Sequence, residues 1–197
     1  MISTTCFDSP LGRMLATAED NALTGLYFVG QQYYPAAAAD WQEDGQAQLF
    51  DALRRRLDEY FAGHRLLFDL PLNPGGKRGT PFQRAVWDAI AGVPFGATTT
   101  YSALALRCGR PAAARASGAA TGRNPISLII PCHRIVGSGG ALTGYAGGLG
   151  RKRTLLAFER AVALGGPSPI SRFIAVGNSA ATPPASRPAQ SELGFSR

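Results

Sequence analysis

The sequence predicts an α+β protein in two parts: a small antiparallel sheet with one helix, then a mainly helical half containing a helix-turn-helix. Three observations point there. Residues 1–30 alternate apolar and polar positions between short turn motifs, the pattern of a strand meander. Residue 46 onward switches to apolar spacings of three and four, the period of a helix. Between the two parts, "PLNPGGKRG" (71–79) concentrates proline and glycine, and the charge changes sign across it.

In the first part, "ISTTCF" (2–7), "RMLATA" (13–18) and "LTGLYFV" (23–29) are rich in strand formers, and "DSPLG" and "EDNA" supply the turns. An Ala-rich connection with little information follows. In "QAQLFDALRRRLDEYFAG" (46–63), Leu49, Leu53, Leu57 and Phe61 recur every four residues beside Phe50 and Tyr60, which predicts one helix ended by Gly63. His64, just past that glycine, reads as a C-terminal cap. The join falls near Gly75, giving one domain over residues 1–74 and a second over 75–164.

The second part opens on "TPFQRAVWDAIAGVP" (80–94). Thr80 can cap, Pro81 suits the first helical position, Gln83 completes a capping box, and Phe82, Val86 and Ile90 form an apolar stripe. "TTTYSALALRC" (98–108) and "PAAARASGAATG" (111–122) read as two short helices broken by "GRP", the arrangement of a helix-turn-helix, although any small helical hairpin in an Ala-rich chain would look similar. "ISLIIP" (126–131) reads as a short buried β-like segment, "GSGGALTGYAGGLG" (137–150) as a glycine-rich loop, and "RKRTLLAFERAVAL" (151–164) as a closing helix with Leu155, Phe158 and Val162 on one face. From Gly165 the chain is rich in Pro, Ser and Ala without periodicity, and is expected to be disordered.

Composition narrows the class. The chain has 197 residues, 45% of them hydrophobic, enough for a core. No apolar run approaches the roughly 20 residues that span a bilayer, and "MISTTCFDSPLG" lacks a signal core, so a cytoplasmic protein is expected. The net charge of +7 is unevenly placed: five basic residues face ten acidic ones up to Asn73, whereas twelve face two from Gly75 to Arg160. A basic half of this kind suits a polyanion, nucleic acid being the obvious one. The loop "GSGGAL" lacks the third glycine and the strand-turn-helix frame of a dinucleotide site.

Three cysteines are too few for a disulfide framework. Cys6, in an alternating strand, and Cys108, at a helix end, read as small core residues. Cys132 stands apart, with His133 and Arg134 adjacent, a basic half around it and a glycine loop behind. A nearby base and positive field would lower its thiol pKa and raise the fraction of attacking thiolate. Neighbours in a strand point to opposite faces, so His133 can serve Cys132 only if the chain turns there or a water relays the proton. Of the two carboxylates in this half, Glu159 on the closing helix is the candidate to orient the imidazole. From these residues alone, a nucleophile and a buried inert thiol both stand.

"GTPFQRAVWDAI", "TTTYSALA", "AAARASGAATGRNPISLIIPCHRIVG" and "GYAGGLGRKRTLLAFE", in this order and spacing, resemble the O6-alkylguanine-DNA alkyltransferases. The likeness runs from about Gly79 to Glu159, and "PCHR" between "RNP" and "GYAGGL" is its most specific part. Residues 1–74 resemble that family's ribonuclease-H-like domain in pattern only. The resemblance implies a winged-helix-like DNA-binding and alkyl-acceptor domain and a direct-reversal repair protein, monomeric, without cofactor, membrane or obligate protein partner; no metal is expected, because a site needs three or four donors and the N-terminal part offers only Cys6 and His64. Its DNA is double-stranded and carries O6-alkylguanine, with O4-alkylthymine a second candidate substrate.

Residue by residue, the resemblance implies that Cys132 accepts the alkyl group once and irreversibly. His133 takes the thiol proton through a water, Glu159 holds His133, and Arg134 and Pro131 brace the turn. Tyr101 crowds the target phosphate and donates a proton to guanine N3. Arg115 enters the base stack, on a helix whose Ala114 and Gly118 allow close approach, with Arg123 beyond it on the DNA face. Asn124 ties the helix-turn-helix to the active-site loop. Tyr145, Ala146, Gly147 and Gly148, with backbone from Cys132 and Ile135, form the wall for the alkylguanine, and Lys152 fixes that loop. Ala146 departs from the serine many members carry, which removes one side-chain hydrogen bond. The zinc donors of some members are missing.

Other classes predict different behaviour. A lesion-binding module without chemistry would carry tryptophan in place of Cys132. A cysteine hydrolase would turn over, and a DNA-binding regulator would tolerate loss of the thiol.

Overall fold

A computed structural model describes residues 1–39, 41–43, 46–76, 79–166 and 170. Three strands, β1 (Ile2–Phe7), β2 (Met14–Glu19) and β3 (Ala22–Phe28), form the expected antiparallel meander, with Thr4 opposite Thr17 and Ala16 opposite Leu26. The turn between β2 and β3 places Asp20 and Asn21 at positive φ, a conformation these two residue types tolerate best among non-glycines. The sheet is mixed rather than antiparallel, because β4 (Trp41–Glu43) adds to the outer side of β1 in parallel, giving the order β3-β2-β1-β4. A three-residue strand is too short for alternation to betray it. Cys6 is exposed rather than in the core, since β1 turns that position outward.

Helix α1 (Ala47–Phe61) buries Leu49, Phe50, Leu53, Leu57, Tyr60 and Phe61, the predicted stripe. Each such side chain contributes about 1.5–3 kcal/mol of burial. Gly63 at φ 79 ends the helix, and the cap at His64 is its backbone N–H on the Glu59 carbonyl (2.9 Å), with the residue exposed.

Helix α2 (Pro81–Ala91) starts with the expected capping box: Gln83 N–H donates to Thr80 Oγ1 (3.2 Å) and Thr80 N–H to Gln83 Oε1 (2.9 Å). Val86, Trp87 and Ile90 are buried, whereas Phe82 is only partly covered. Two short helices, α3 (Tyr101–Arg107) and α4 (Ala114–Gly122), flank Gly109 and a 3-10 turn at Pro111–Ala113. Trp87 Nε1 donates to the Ala120 carbonyl (2.9 Å) and fixes α4 on α2. Strand β5 (Thr99–Thr100) pairs in parallel with β6 (Ile135–Val136), joining the start of α3 to the segment after Cys132. Helix α5 (Leu149–Ala163) closes the fold and buries Leu155 and Phe158.

"ISLIIP" is buried but is not a strand. It is a turn in which Leu128 adopts φ 70 and only Ile126 bridges Leu26 of β3. Its apolarity reported burial, which a tight turn supplies as well as a strand does.

The free edge of β3 is covered by both later segments. Leu23 exchanges bonds with Pro71 and Asn73, and Leu26 with Pro125 and Ser127, at 2.8–2.9 Å. One core cluster runs from Met14 and Phe28 through Leu53 and Tyr60 to Ile130 and Phe158. Within the stretch expected to be disordered, Ile170 is 1% exposed in that core, and 167–169 and 171–197 lie outside the described residues. Among the described residues no helix is long and apolar enough to cross a membrane.

Candidate active site

After α4 the chain reaches Cys132 through a series of backbone turns that Asn124 organises. Its Nδ2 donates to the carbonyls of Ile130 (2.7 Å) and Ile126 (3.3 Å), while its Oδ1 accepts from Ile126 N–H (3.0 Å). Pro131 then leads into a 3-10 turn, Cys132–Arg134, closed by Arg134 N–H on the Pro131 carbonyl (2.9 Å). The chain does turn at the Cys–His pair, so the opposite-face objection of a strand does not apply. Cys132 is 4% exposed and His133 fully buried.

Glu159 of α5 is the hub beneath them. Its Oε1 accepts from His133 Nε2 (2.9 Å), Arg134 Nη2 (2.9 Å) and Tyr60 Oη (2.7 Å). Its Oε2 accepts from Arg134 Nε (2.8 Å) and Gly96 N–H (3.2 Å). Burial alone would push this carboxyl up, but His133 and Arg134 outweigh it and hold it below the usual carboxylate range. A carboxylate can only accept, so His133 Nε2 carries the proton and Nδ1 presents its lone pair. That Nδ1 is buried and has no hydrogen-bond partner among the described residues. Burial holds the His133 pKa below its ordinary value against the pull of Glu159, with Arg134 and Lys152 adding to the lowering. The imidazole is therefore a neutral base at neutral pH.

The thiol corrects one expectation. Burial pushes Cys132 up to about 11, although Asn124 Nδ2 at 3.0 Å from Sγ and the charge of Lys152 oppose the shift. The basic half does not make a resident thiolate, because desolvation wins. A proton must therefore leave Sγ during any reaction there. The shift has a measurable sign. The unfolded thiol ionises near pH 9 and the folded one near 11, so its contribution to stability is whole below 9 and is lost as pH rises toward 11. Lys152, held down to about 8 by burial, works oppositely, gaining stability as pH rises from 8 to its ordinary 10.5. The difference in unfolding free energy between wild type and Cys132→Ala reads the thiol together with its coupling to Lys152. It should fall by about 2–3 kcal/mol from pH 9 to 11, and a flat difference would contradict a desolvated thiol.

Lys152 is buried, and its Nζ donates to the carbonyls of Ile135 (2.5 Å), Thr143 (2.7 Å) and Gly144 (3.2 Å), tying α5 to the loop. Tyr101, at the start of α3, directs its hydroxyl at the Thr143 and Gly144 carbonyls (3.2 and 3.4 Å). Burial raises its pKa, so it keeps its proton. Tyr145 meets the His133 ring edge-on at 6.4 Å. Gly147 has no room for a side chain, since a Cβ there would stand 2.7 Å from the Tyr145 ring, and Gly148 turns the chain into α5 at φ 89. The Ala146 carbonyl accepts from Gln32 N–H (3.1 Å) in the loop after β3.

Arg115 is exposed on α4, flanked by Ala114 and by Gly118, whose Cα faces the Tyr101 ring. Arg123, also exposed, lies over the Tyr33 ring at 5.1 Å. Cys132, His133, Arg134, Asn124, Glu159, Ile135, Tyr145 and Lys152 thus converge in one site, Tyr101 stands at its rim, and Arg115 is exposed on α4 with Arg123 exposed just past its C-terminal end. No group of three or more metal-ligating side chains occurs among the described residues.

Two family models match the chain: residues 2–74 match the 6-O-methylguanine DNA methyltransferase ribonuclease-like domain, and residues 81–161 its DNA binding domain. The chain belongs to the 6-O-methylguanine DNA methyltransferase family. A "Methylated-DNA--protein-cysteine methyltransferase" of Mycolicibacterium paratuberculosis is 45% identical over 160 residues, 81% of this chain and 93% of its own. One of the same name from Haemophilus influenzae is 41% identical over 157 residues, 79% and 85% of the two chains. Mycobacterium tuberculosis OGT, solved in complex with DNA, matches at a TM-score of 0.78 and 38% identity over 87% of this chain and 98% of that one.

Three features of this methyltransferase-family site were not foreseen. Tyr60 reaches Glu159 from the N-terminal half, Gly96 offers it a backbone N–H, and Arg151 bonds the Leu11 and Gly147 carbonyls (2.7 and 2.8 Å) above the Phe28 ring. In sequence Tyr60 belongs to an apolar stripe, and periodicity cannot say what a hydroxyl at the end of such a stripe will meet. Arg151 had a signal, a charge directly after the glycine loop, but its partners lie far along the chain.

Proposed function

We propose that this protein repairs double-stranded DNA carrying O6-alkylguanine by moving the alkyl group once and irreversibly onto Cys132. The observation that carries the reading is the buried Cys132 thiol beside a neutral imidazole fixed by Glu159. The alkyl carbon forms a bond to Sγ as its bond to guanine O6 breaks. The thiol proton passes through a water to His133 Nδ1, leaving an imidazolium that Glu159 stabilises. Tyr101 protonates guanine N3 as the base leaves, and the imidazolium proton restores Tyr101 through solvent. Asn124 aims Sγ by donating to it, and Pro131 and Arg134 keep the turn. The loop from Tyr145 to Gly148, with Ile135 and Lys152, receives the extruded base.

Arg115 enters the stack from α4, where Ala114 and Gly118 let the duplex come close, and Arg123 contacts the backbone beside it. Extrusion costs a few kcal/mol, reduced at a lesion whose pairing is already weak. The protein acts as a cytoplasmic monomer without cofactor, with the N-terminal domain over residues 1–74 and the alkyl-acceptor domain over 75–164. A lesion reader without chemistry has no use for a nucleophile held this way.

Incubation with duplex DNA bearing O6-methylguanine is expected to add one methyl to the tryptic peptide containing Cys132, in at most one copy per molecule. Folded protein that gains no mass would reject the reading. Arg115→Ala should keep the unfolding midpoint but slow transfer on duplex DNA by about tenfold, since the gap left by the extruded base is then unfilled. Transfer at the wild-type rate would remove Arg115 from extrusion.

A further inference from the structure

The N-terminal half supplies a polar side chain to the buried cluster around Glu159. Tyr60, on the last turn of α1, is fully buried and gives its hydroxyl to Glu159 Oε1 at 2.7 Å, across 99 residues of sequence. That oxygen also receives His133 Nε2, and the Tyr60 contact is the shortest it makes. The ring is held by edge contacts to Phe61, Phe95 and Phe158 and a tilted one to Phe68, with centroids 5.3–6.1 Å away. Aromatic packing needs no hydroxyl, and phenylalanine would satisfy all four neighbours. The hydroxyl is therefore separable from the core role of the ring. Burial and the charge of Glu159 keep Tyr60 protonated, so it remains a donor.

We infer that Tyr60 is a positioning residue for alkyl transfer: its hydroxyl draws on the charge of the Glu159 oxygen that holds His133, and so limits how strongly that oxygen pulls on the imidazole. This rests on the reading of Cys132 as alkyl acceptor. A carboxylate oxygen shared among three donors offers less charge to each, and a hydrogen bond to an ionised group is roughly twice as strong as one between neutral groups. Without Tyr60, Glu159 becomes the stronger acceptor and favours the imidazolium before any thiol proton has moved. The base would then be occupied by a solvent proton. The groups facing His133 are Glu159 and Lys152 of α5, Arg134 and Cys132 of its own turn, and Tyr145 of the loop. Of these, Glu159 is the one hydrogen-bonded to Tyr60, so a change at position 60 reaches His133 through that carboxylate.

The chain has two histidines, which makes the test direct. Ring resonances of His133 and the exposed His64 are followed by NMR against pH in the full-length protein. Tyr60→Phe is expected to move the His133 midpoint upward and leave His64 unmoved. Site-specific 3-fluorotyrosine at position 60, a stronger donor of nearly unchanged size, should move it downward, which keeps the test open if the phenylalanine variant folds poorly. In transfer assays the acidic limb of the rate profile of Tyr60→Phe should shift to higher pH, slowing transfer about tenfold on that limb. A His133 midpoint unmoved by either change overturns the inference. The titration needs no DNA and no methyl transfer, so its failure is distinct from failure of Cys132 to gain a methyl.

Discussion

Cys132→Ala is expected to abolish methyl transfer outright while leaving binding to methylated duplex DNA within about twofold of wild type. A missing acceptor atom leaves no partial route, because no other thiol stands near the site: Cys6 is exposed on β1 and Cys108 caps α3. The proposed binding groups, Arg115 on α4 and Arg123 just past its end, are untouched by the change. The stability cost is small, about 1 kcal/mol for the lost contact with Asn124. Quantifying methyl groups on intact protein checks the first half, and a titration of labelled duplex at fixed salt checks the second. Methyl transfer surviving in this variant would mean that another residue is the nucleophile.

The second large effect falls on stability. Glu159→Ala should lower the unfolding free energy by about 3–5 kcal/mol. The change removes the charge partner of the Arg134 guanidinium, which keeps its bond to the Val93 carbonyl, and takes the acceptor from the Tyr60 hydroxyl, the His133 Nε2–H and the Gly96 N–H. Urea titration with equal m-values reads the loss. Glu159→Gln keeps the shape and part of the bonding, so it should cost less in stability while still slowing transfer, since an amide stabilises the imidazolium poorly. A loss below about 1 kcal/mol for the alanine variant would mean that the carboxylate is not the common anchor of these groups.

Where local chemistry decides the structure, the sequence could be read closely. The Thr80–Gln83 capping box, the four-residue stripe of α1 and the Gly63 stop depend on neighbours a few positions away, and each stands where its motif put it. Strand β4 and the turn at "ISLIIP" were missed for one reason. Apolarity and period report that a segment is buried, whereas a three-residue strand or a leucine at φ 70 is chosen by distant partners. In the site, the Cys132–His133–Glu159 set could be argued from chemistry, since a basic half offers an imidazole only two carboxylates. Its thiol was misjudged, because a charge count sees the positive field but not the desolvation that opposes it. Tyr60 was invisible as a polar group for the same geometric reason as β4.

The covered edge of β3 bears on how the chain can be divided. A cut at Gly75 looks natural in sequence, where composition and charge both change. In space the Leu23–Leu26 edge is completed by residues 71–73 on one side of that cut and by 125–127 on the other. Severing the chain would leave the N-terminal piece with bare amides and carbonyls along a strand, the template that recruits other chains. It would also strip the turn that precedes Cys132 of its flat support. Modularity written in the primary structure is thus not modularity of the folded object, and a graft of the second half onto another carrier would need a substitute strand to come with it.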